Sequence, residues 1–123
     1  MNRVGRHVFG ATAALIGSLT AFSGLSTPAY AGASAAEAGQ KVAFTRSKGN
    51  CLACHMIPGG ESPGTIAPPL VGMQARFPDK AKLRAQIWDA TATNPESSMP
   101  PFGRHGILSE EEIDQLVEFI SAQ

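Results

Sequence analysis

The sequence predicts an all-α domain of about three helices joined by two long loops. Three observations lead there. Ile113, Leu116, Val117 and Ile120 follow the i, i+3, i+4, i+7 spacing of one helical face. Residues 57–72 and 91–106 are crowded with prolines and glycines, which break helices and central strands alike. No stretch alternates apolar and polar residues for long enough to make a useful strand.

The chain has 123 residues, and its start reads as an export signal. Arg3 and Arg6 make a basic beginning, residues 8–22 are uncharged and mostly apolar, and Ala29-Tyr30-Ala31 is an A-x-A cleavage site. The expected division is a cleaved signal peptide over residues 1–31 and one folded domain over residues 32–123, delivered to the periplasm. The apolar run is short and broken by Gly10, Gly17, Ser18 and Thr20, against a membrane anchor. Cys51 is the first cysteine and lies far past the cleavage site, against a lipoprotein; the arginines are not adjacent, against a twin-arginine signal. All ten acidic residues fall after the cut, whereas Arg3 and Arg6 fall before it, so the mature segment is slightly acidic. That balance, with no basic cluster or aromatic ladder, argues against nucleic acid. A domain this short has a thin core and needs a staple.

Residues 37–47 read as the first helix, with Val42 and Ala38 inward and Phe44 packing, stopped at Gly49-Asn50. The loop over residues 57–72 is of the long, ordered kind that wraps a cofactor. Pro78-Asp79 opens a second helix running to about Ala90, with Leu83 and Ile87 inward and Lys80, Lys82 and Arg84 outward. Trp88, the only tryptophan, is read as a packing residue. After the second loop, Ser109 is an N-cap, Glu112 completes an S-x-x-E capping box, and Glu110 and Glu111 suit the positive end of the helix.

Between the first helix and the first loop stands Cys51-Leu52-Ala53-Cys54-His55. This C-x-x-C-H spacing is the attachment sequence for a c-type haem. Two thiols one turn apart can add across the two vinyl groups of one porphyrin, and the adjacent histidine is then held under the iron as a neutral imidazole ligand. Cys51 and Cys54 are the only cysteines, so nothing remains for a structural disulfide. A redox dithiol and half of a zinc ribbon use the same C-x-x-C pair. The first wants a βαβ pattern, which is missing. The second wants two further ligands, for which only His7, His55 and His105 are on offer. One covalently held haem is the expected cofactor.

If His55 is one axial ligand, the candidates for the other are Met56, Met73, Met99 and His105. Met56 adjoins His55 and cannot reach the opposite face. Met99 is favoured because Pro100-Pro101 stiffen the backbone behind it, which lowers the entropic cost of holding a weak thioether ligand. His105, Met73 and an open sixth position remain as alternatives, although His105 also reads as a surface or propionate-contacting residue and Met73 as core. Methionine–histidine ligation raises the potential and closes the iron to substrates, which suits electron transfer.

A helix, C-x-x-C-H, a proline loop, a methionine loop and a C-terminal helix, in that order, resemble a class I c-type cytochrome. In that family the proline carbonyl of a G-P-x-L stretch accepts the proximal histidine's other ring N–H. Ala67-Pro68-Pro69-Leu70 is similar, with alanine in place of the usual glycine, and the resemblance implies that Pro68 orients His55. Gly49 to His55, Leu83-Arg84, Ile87-Trp88-Asp89, Met99-Pro100-Pro101-Phe102-Gly103 and Ile107-Leu108-Ser109 further resemble the monohaem SoxX cytochromes of the sulfur-oxidation SoxAX complex.

That resemblance implies a heterodimer with a SoxA-like cytochrome subunit, working as an L-cysteine S-thiosulfotransferase that joins thiosulfate to a cysteine of a SoxY-type sulfur carrier. By the same resemblance, the catalytic cysteine is expected on the partner subunit, and this chain is expected to accept electrons and pass them to a soluble cytochrome. The cysteine count agrees, because haem attachment leaves no free thiol to carry sulfur. The competing readings are a free-standing periplasmic cytochrome serving an oxidase or reductase, and a haem-free dithiol module.

Overall fold

The computed structural model describes residues 28–123, and helices supply all the regular structure among them. In chain order these are α1 (Pro28–Phe44), α2 (Met73–Arg76), α3 (Lys80–Trp88) and α4 (Glu110–Ser121), with single 3₁₀ turns at Cys51–Ala53 and Ala90–Ala92. The apolar stretch of the expected export signal lies outside the described residues. The expected cut after Ala31 falls in the first turn of α1.

Helix α4 forms where its start signal and its stripe coincide. The Ser109 hydroxyl accepts from the Glu112 N–H at 3.2 Å, and the Glu112 carboxylate accepts from the Ser109 N–H at 3.0 Å, closing both arms of the capping box. Ile113, Leu116, Val117 and Ile120 are buried, joined by Phe119. Lys48, just ahead of the cysteine motif, reaches the same Glu112 carboxylate at 2.7 Å. The Lys48 contact, then the Ser109 amide, hold that carboxyl below the usual range.

Helix α1 crosses α4 at Gly39. A Cβ at this position would stand 2.0 Å from the Gln115 carbonyl oxygen, so only glycine lets the two backbones meet. The expected inward residue Ala38 is half-buried, and Gly39, Val42 and Ala43 form the packed face instead. The helix also begins earlier than residue 37 and ends earlier than residue 47. Its alanine-rich start favours helix, and Thr45 closes its end by donating its hydroxyl to the Lys41 carbonyl at 2.6 Å. Beyond the crossing, Phe44 meets Phe119 edge to face at 5.7 Å.

The Asp79 side chain caps α3 by accepting from the Ala81 N–H at 2.8 Å. Leu83 and Ile87 are buried as expected. The helix stops at Trp88 because Asp89 turns extended and its carboxylate accepts from the Thr91 N–H, starting the 3₁₀ turn. Outside the core, Lys80 pairs with Glu118 and Arg84 with Asp114, both at 2.6 Å, lacing α3 to α4. Exposed pairs of this kind add little each. The two Pro/Gly segments are irregular as expected, apart from the 3₁₀ turn Ala90–Ala92 that opens the second; just past the first, α2 forms one turn after Gly72, and the Met73 N–H donates to the Gln123 carbonyl at 2.9 Å.

Gly39→Ala should destabilise the domain by about 1–3 kcal/mol through overpacking, read as a lowered denaturant midpoint. Glu37→Ala, exposed on the same helix, should stay within about 0.5 kcal/mol of the parent. Because the folded pKa of Glu112 is depressed, its contribution is present above the ordinary carboxylate pKa and disappears as pH falls through the folded value. The unfolding midpoint should therefore drop between neutral pH and about pH 3, and Glu112→Gln should drop less across that window.

Candidate haem site

After α1 ends, Asn50 takes a left-handed conformation (φ 48°), which asparagine tolerates better than most residues. The chain then winds into the 3₁₀ turn. The Cys54 and His55 N–H groups both donate to the Cys51 carbonyl, at 3.2 and 2.9 Å. This one turn delivers Cys51, Cys54 and His55 to a common cleft.

The cleft consists of two cavities of about 140 and 440 Å³ that share Cys51, His55, Gln86, Met99 and Phe102 as walls. The smaller is backed by Leu83 and Ile87 of α3 and by Leu116 and Ile120 of α4. The larger includes Cys54 and Pro68, and Arg46 and Lys48 lie at its margin. An apolar interior with a few convergent polar groups is the usual setting for a bound cofactor.

His55 Nδ1 lies 2.7 Å from the Pro68 carbonyl oxygen. A carbonyl can only accept, so the ring proton sits on Nδ1 and the Nε2 lone pair is left for a metal. The acceptor is itself held in place. Flanking Pro68, the Ala67 N–H donates to the Cys54 carbonyl at 3.0 Å and the Leu70 N–H to the Met56 carbonyl at 2.9 Å. Arg76 donates to the Pro69 carbonyl at 2.7 Å.

Burial, then the backbone and the neighbouring Cys54, act on the Cys51 thiol, and the balance pushes it up to about 11. A redox dithiol needs the opposite, a nucleophilic cysteine with a depressed pKa. Among the described residues no group of three or more His, Cys, Asp or Glu side chains is placed to hold a metal ion, so the zinc alternative finds no further ligands. The donor set left is two thiols, a free imidazole Nε2 and a thioether, which fits a covalently attached haem.

The methionines separate by position. Met99 is half-buried and lines both cavities, with its N–H donating to the Ser97 hydroxyl at 3.3 Å. Met73 is fully buried and lines only the smaller cavity, its sulfur 3.3 Å from an Arg76 nitrogen. Met56 is exposed, His105 is exposed, and neither is part of the cleft wall. Gln86 was not among the residues expected here. Its signal was available: Leu83, Gln86, Ile87 and Ala90 share one helical face, and a polar residue on an apolar face marks a site wall.

An all-helical fold that turns a C-x-x-C-H segment and a methionine loop toward one cleft defines a small class I cytochrome c. The model of the family described as "Cytochrome C oxidase, cbb3-type, subunit III" matches residues 34–120, and the chain belongs to that family of cytochrome c domains. It is a SoxX-like member: the crystal structure of SoxXA from P. pantotrophus is similar with a TM-score of 0.62 and 34% identity, covering 69% of this chain and 78% of that one. An "Uncharacterized lipoprotein" of Aquifex aeolicus (strain VF5) is 36% identical over 74 residues, which are 59% of this chain and 36% of the relative. The chain therefore spans little more than a third of that relative's length. Membership of the family brings c-type haem with it, and Cys51, Cys54 and His55 fit its attachment motif.

Proposed function

We propose that this electron-transfer cytochrome is the SoxX-type subunit of a thiosulfate-oxidising complex and carries a single haem. The likeness to the SoxXA chain, 34% identical over 78% of that chain, carries this reading. Cys51 and Cys54 would hold the macrocycle through thioether bonds, His55 Nε2 and the Met99 sulfur would bind its iron, and Pro68 orients His55 through Nδ1. When bound, a c-type haem supplies one-electron redox chemistry. Phe102, Leu116 and Ile120 keep water from the inner part of the cleft. With both cysteines committed, the chain itself contributes no sulfur nucleophile.

The sulfur chemistry belongs to a SoxA-like partner. Joining thiosulfate to the cysteine of a SoxY-type carrier forms a sulfur–sulfur bond and releases a proton and an electron pair. Those electrons pass through this subunit to a soluble cytochrome. Export to the periplasm follows from the leader over residues 1–31, and residues 32–123 then form the mature domain. A free-standing shuttle that serves an oxidase is the second reading, favoured by the oxidase-subunit description of the family model.

Met99→Ala should keep the haem mass on the protein while abolishing the iron–sulfur charge-transfer band and lowering the reduction potential. Survival of that band removes Met99 as ligand. Adding thiosulfate and the sulfur carrier should reduce the haem only when the SoxA-like subunit co-purifies with the chain. A monomer that reduces an oxidase and binds no such subunit supports the shuttle instead.

A further inference from the structure

We propose that Trp88 is a positioning residue for the axial thioether: its indole ring and its carbonyl together clasp the loop that carries Met99. This rests on the reading of Met99 as ligand. The backbone supplies the first half of the clasp. Helix α3 ends at Trp88, which frees its carbonyl to accept from both Gly103 N–H at 3.1 Å and Arg104 N–H at 3.3 Å. The ring supplies the second half. A Cβ at Gly103 would lie 2.1 Å from two carbons of the indole, so the loop backbone rests directly on the ring and no side chain fits between them. Arg84, held by Asp114 at 2.6 Å, stacks over the same ring at 5.3 Å from its centroid. A surface tether completes the arrangement: Arg104 reaches Asp89 at 2.8 Å, and Asp89 is itself engaged by Thr91.

The clasp acts at Gly103, four residues after Met99, and the intervening chain transmits it. Pro100 and Pro101 have fixed φ, which leaves the backbone fewer dihedrals with which to absorb a displacement. Phe102 is buried, and its carbonyl accepts from the Ile107 and Leu108 N–H groups, closing the loop behind it. The helix that anchors the loop is also the helix whose Leu83, Gln86 and Ile87 wall the cleft. One rigid element therefore sets the distance between the methionine and the cavity it faces. Trp88 is only half-buried, unlike Leu83 and Ile87 on the same helix, in keeping with a ring laid against a loop rather than sunk in the core.

The test uses the ferric haem-loaded protein. Gly103→Ala should retain the covalent haem, lose the iron–sulfur charge-transfer band and bind imidazole at the vacated axial position roughly tenfold tighter or more, because the ligand-free fraction rises. Combining it with Trp88→Ala should give back at least half of the band, since the added methyl then occupies the space the indole has left. Arg104→Gln changes only an exposed tether, does not endanger folding, and should strengthen imidazole binding by roughly two- to fivefold. If Gly103→Ala keeps the band and the parent's imidazole affinity, the clasp is refuted. The same holds if the double variant shows no recovery, or if Gly103→Ala yields no haem protein and Arg104→Gln binds imidazole as the parent does. Met99→Ala, run alongside, separates the two levels: a band that survives there overturns the ligand assignment itself, whereas a band lost there and kept in Gly103→Ala overturns only the clasp.

Discussion

At Gly39 the backbone of α1 lies on the Gln115 carbonyl of α4, and the geometry of the domain follows from that contact. Two helices crossing with no side chain between them approach more closely than ridge-and-groove packing normally allows. The crossing fixes where α1 ends, with Phe44 against Phe119, and so fixes where the cysteine turn begins. Lys48 then binds Glu112 at the start of α4, tying the approach to the motif to the same helix. Leu116 and Ile120, on α4, line the cleft that the motif faces. A substitution at Gly39 would move both walls of the site together.

The prolines of the first loop do chemistry that their side chains cannot. Proline has no N–H to offer, but its carbonyl remains a strong acceptor, and the Pro68 oxygen uses it to hold the His55 ring in one tautomer. The neighbouring Pro69 oxygen is taken by Arg76, and the amides of Ala67 and Leu70 pin the segment on both sides. An otherwise irregular loop is thereby rigid at the point where a ligand must be aimed. Such rigidity suits electron transfer, in which the coordination shell should change little between oxidation states.

The domain is also small for its task. Among the described residues one hydrophobic cluster forms the core, and the two cavities open directly beside it, so Met73, Leu83, Ile87, Phe102, Leu116 and Ile120 belong to core and cleft at once. The haem that comes with the family is a large apolar plate, which suits a core that the polypeptide alone leaves thin, and Cys51 and Cys54 fit its attachment motif. The likeness to SoxXA and the membership of a wider cytochrome c family agree on this architecture, and they differ only in the partner that their names suggest.

Features encoded within a few residues were legible in the sequence: the C-x-x-C-H turn, the capping box of α4 and its buried stripe, the start of α3 at Asp79, and the irregularity of both Pro/Gly loops. Each depends on local backbone preference or on a spacing that one turn of helix imposes. The start of α1 was not legible, because Thr27-Pro28, a pair suited to an N-cap and a first helical position, lies inside the expected export signal, nor was the single turn of α2. Ala38 looked like the inward residue of α1 until the crossing with α4 showed that the contact needs Gly39, whose lack of a side chain is meaningful only against a partner helix. Gln86 and Trp88 gained their places in the same way. One walls the cleft and the other bears on a loop fifteen residues away, contacts that arise only when α3 is packed between the core and the methionine loop. The sequence by itself determined which chemistry the chain carries, because covalent attachment needs a short fixed spacing. Tertiary structure alone decided how that chemistry is held, because orientation comes from groups distant in the chain that meet only on folding.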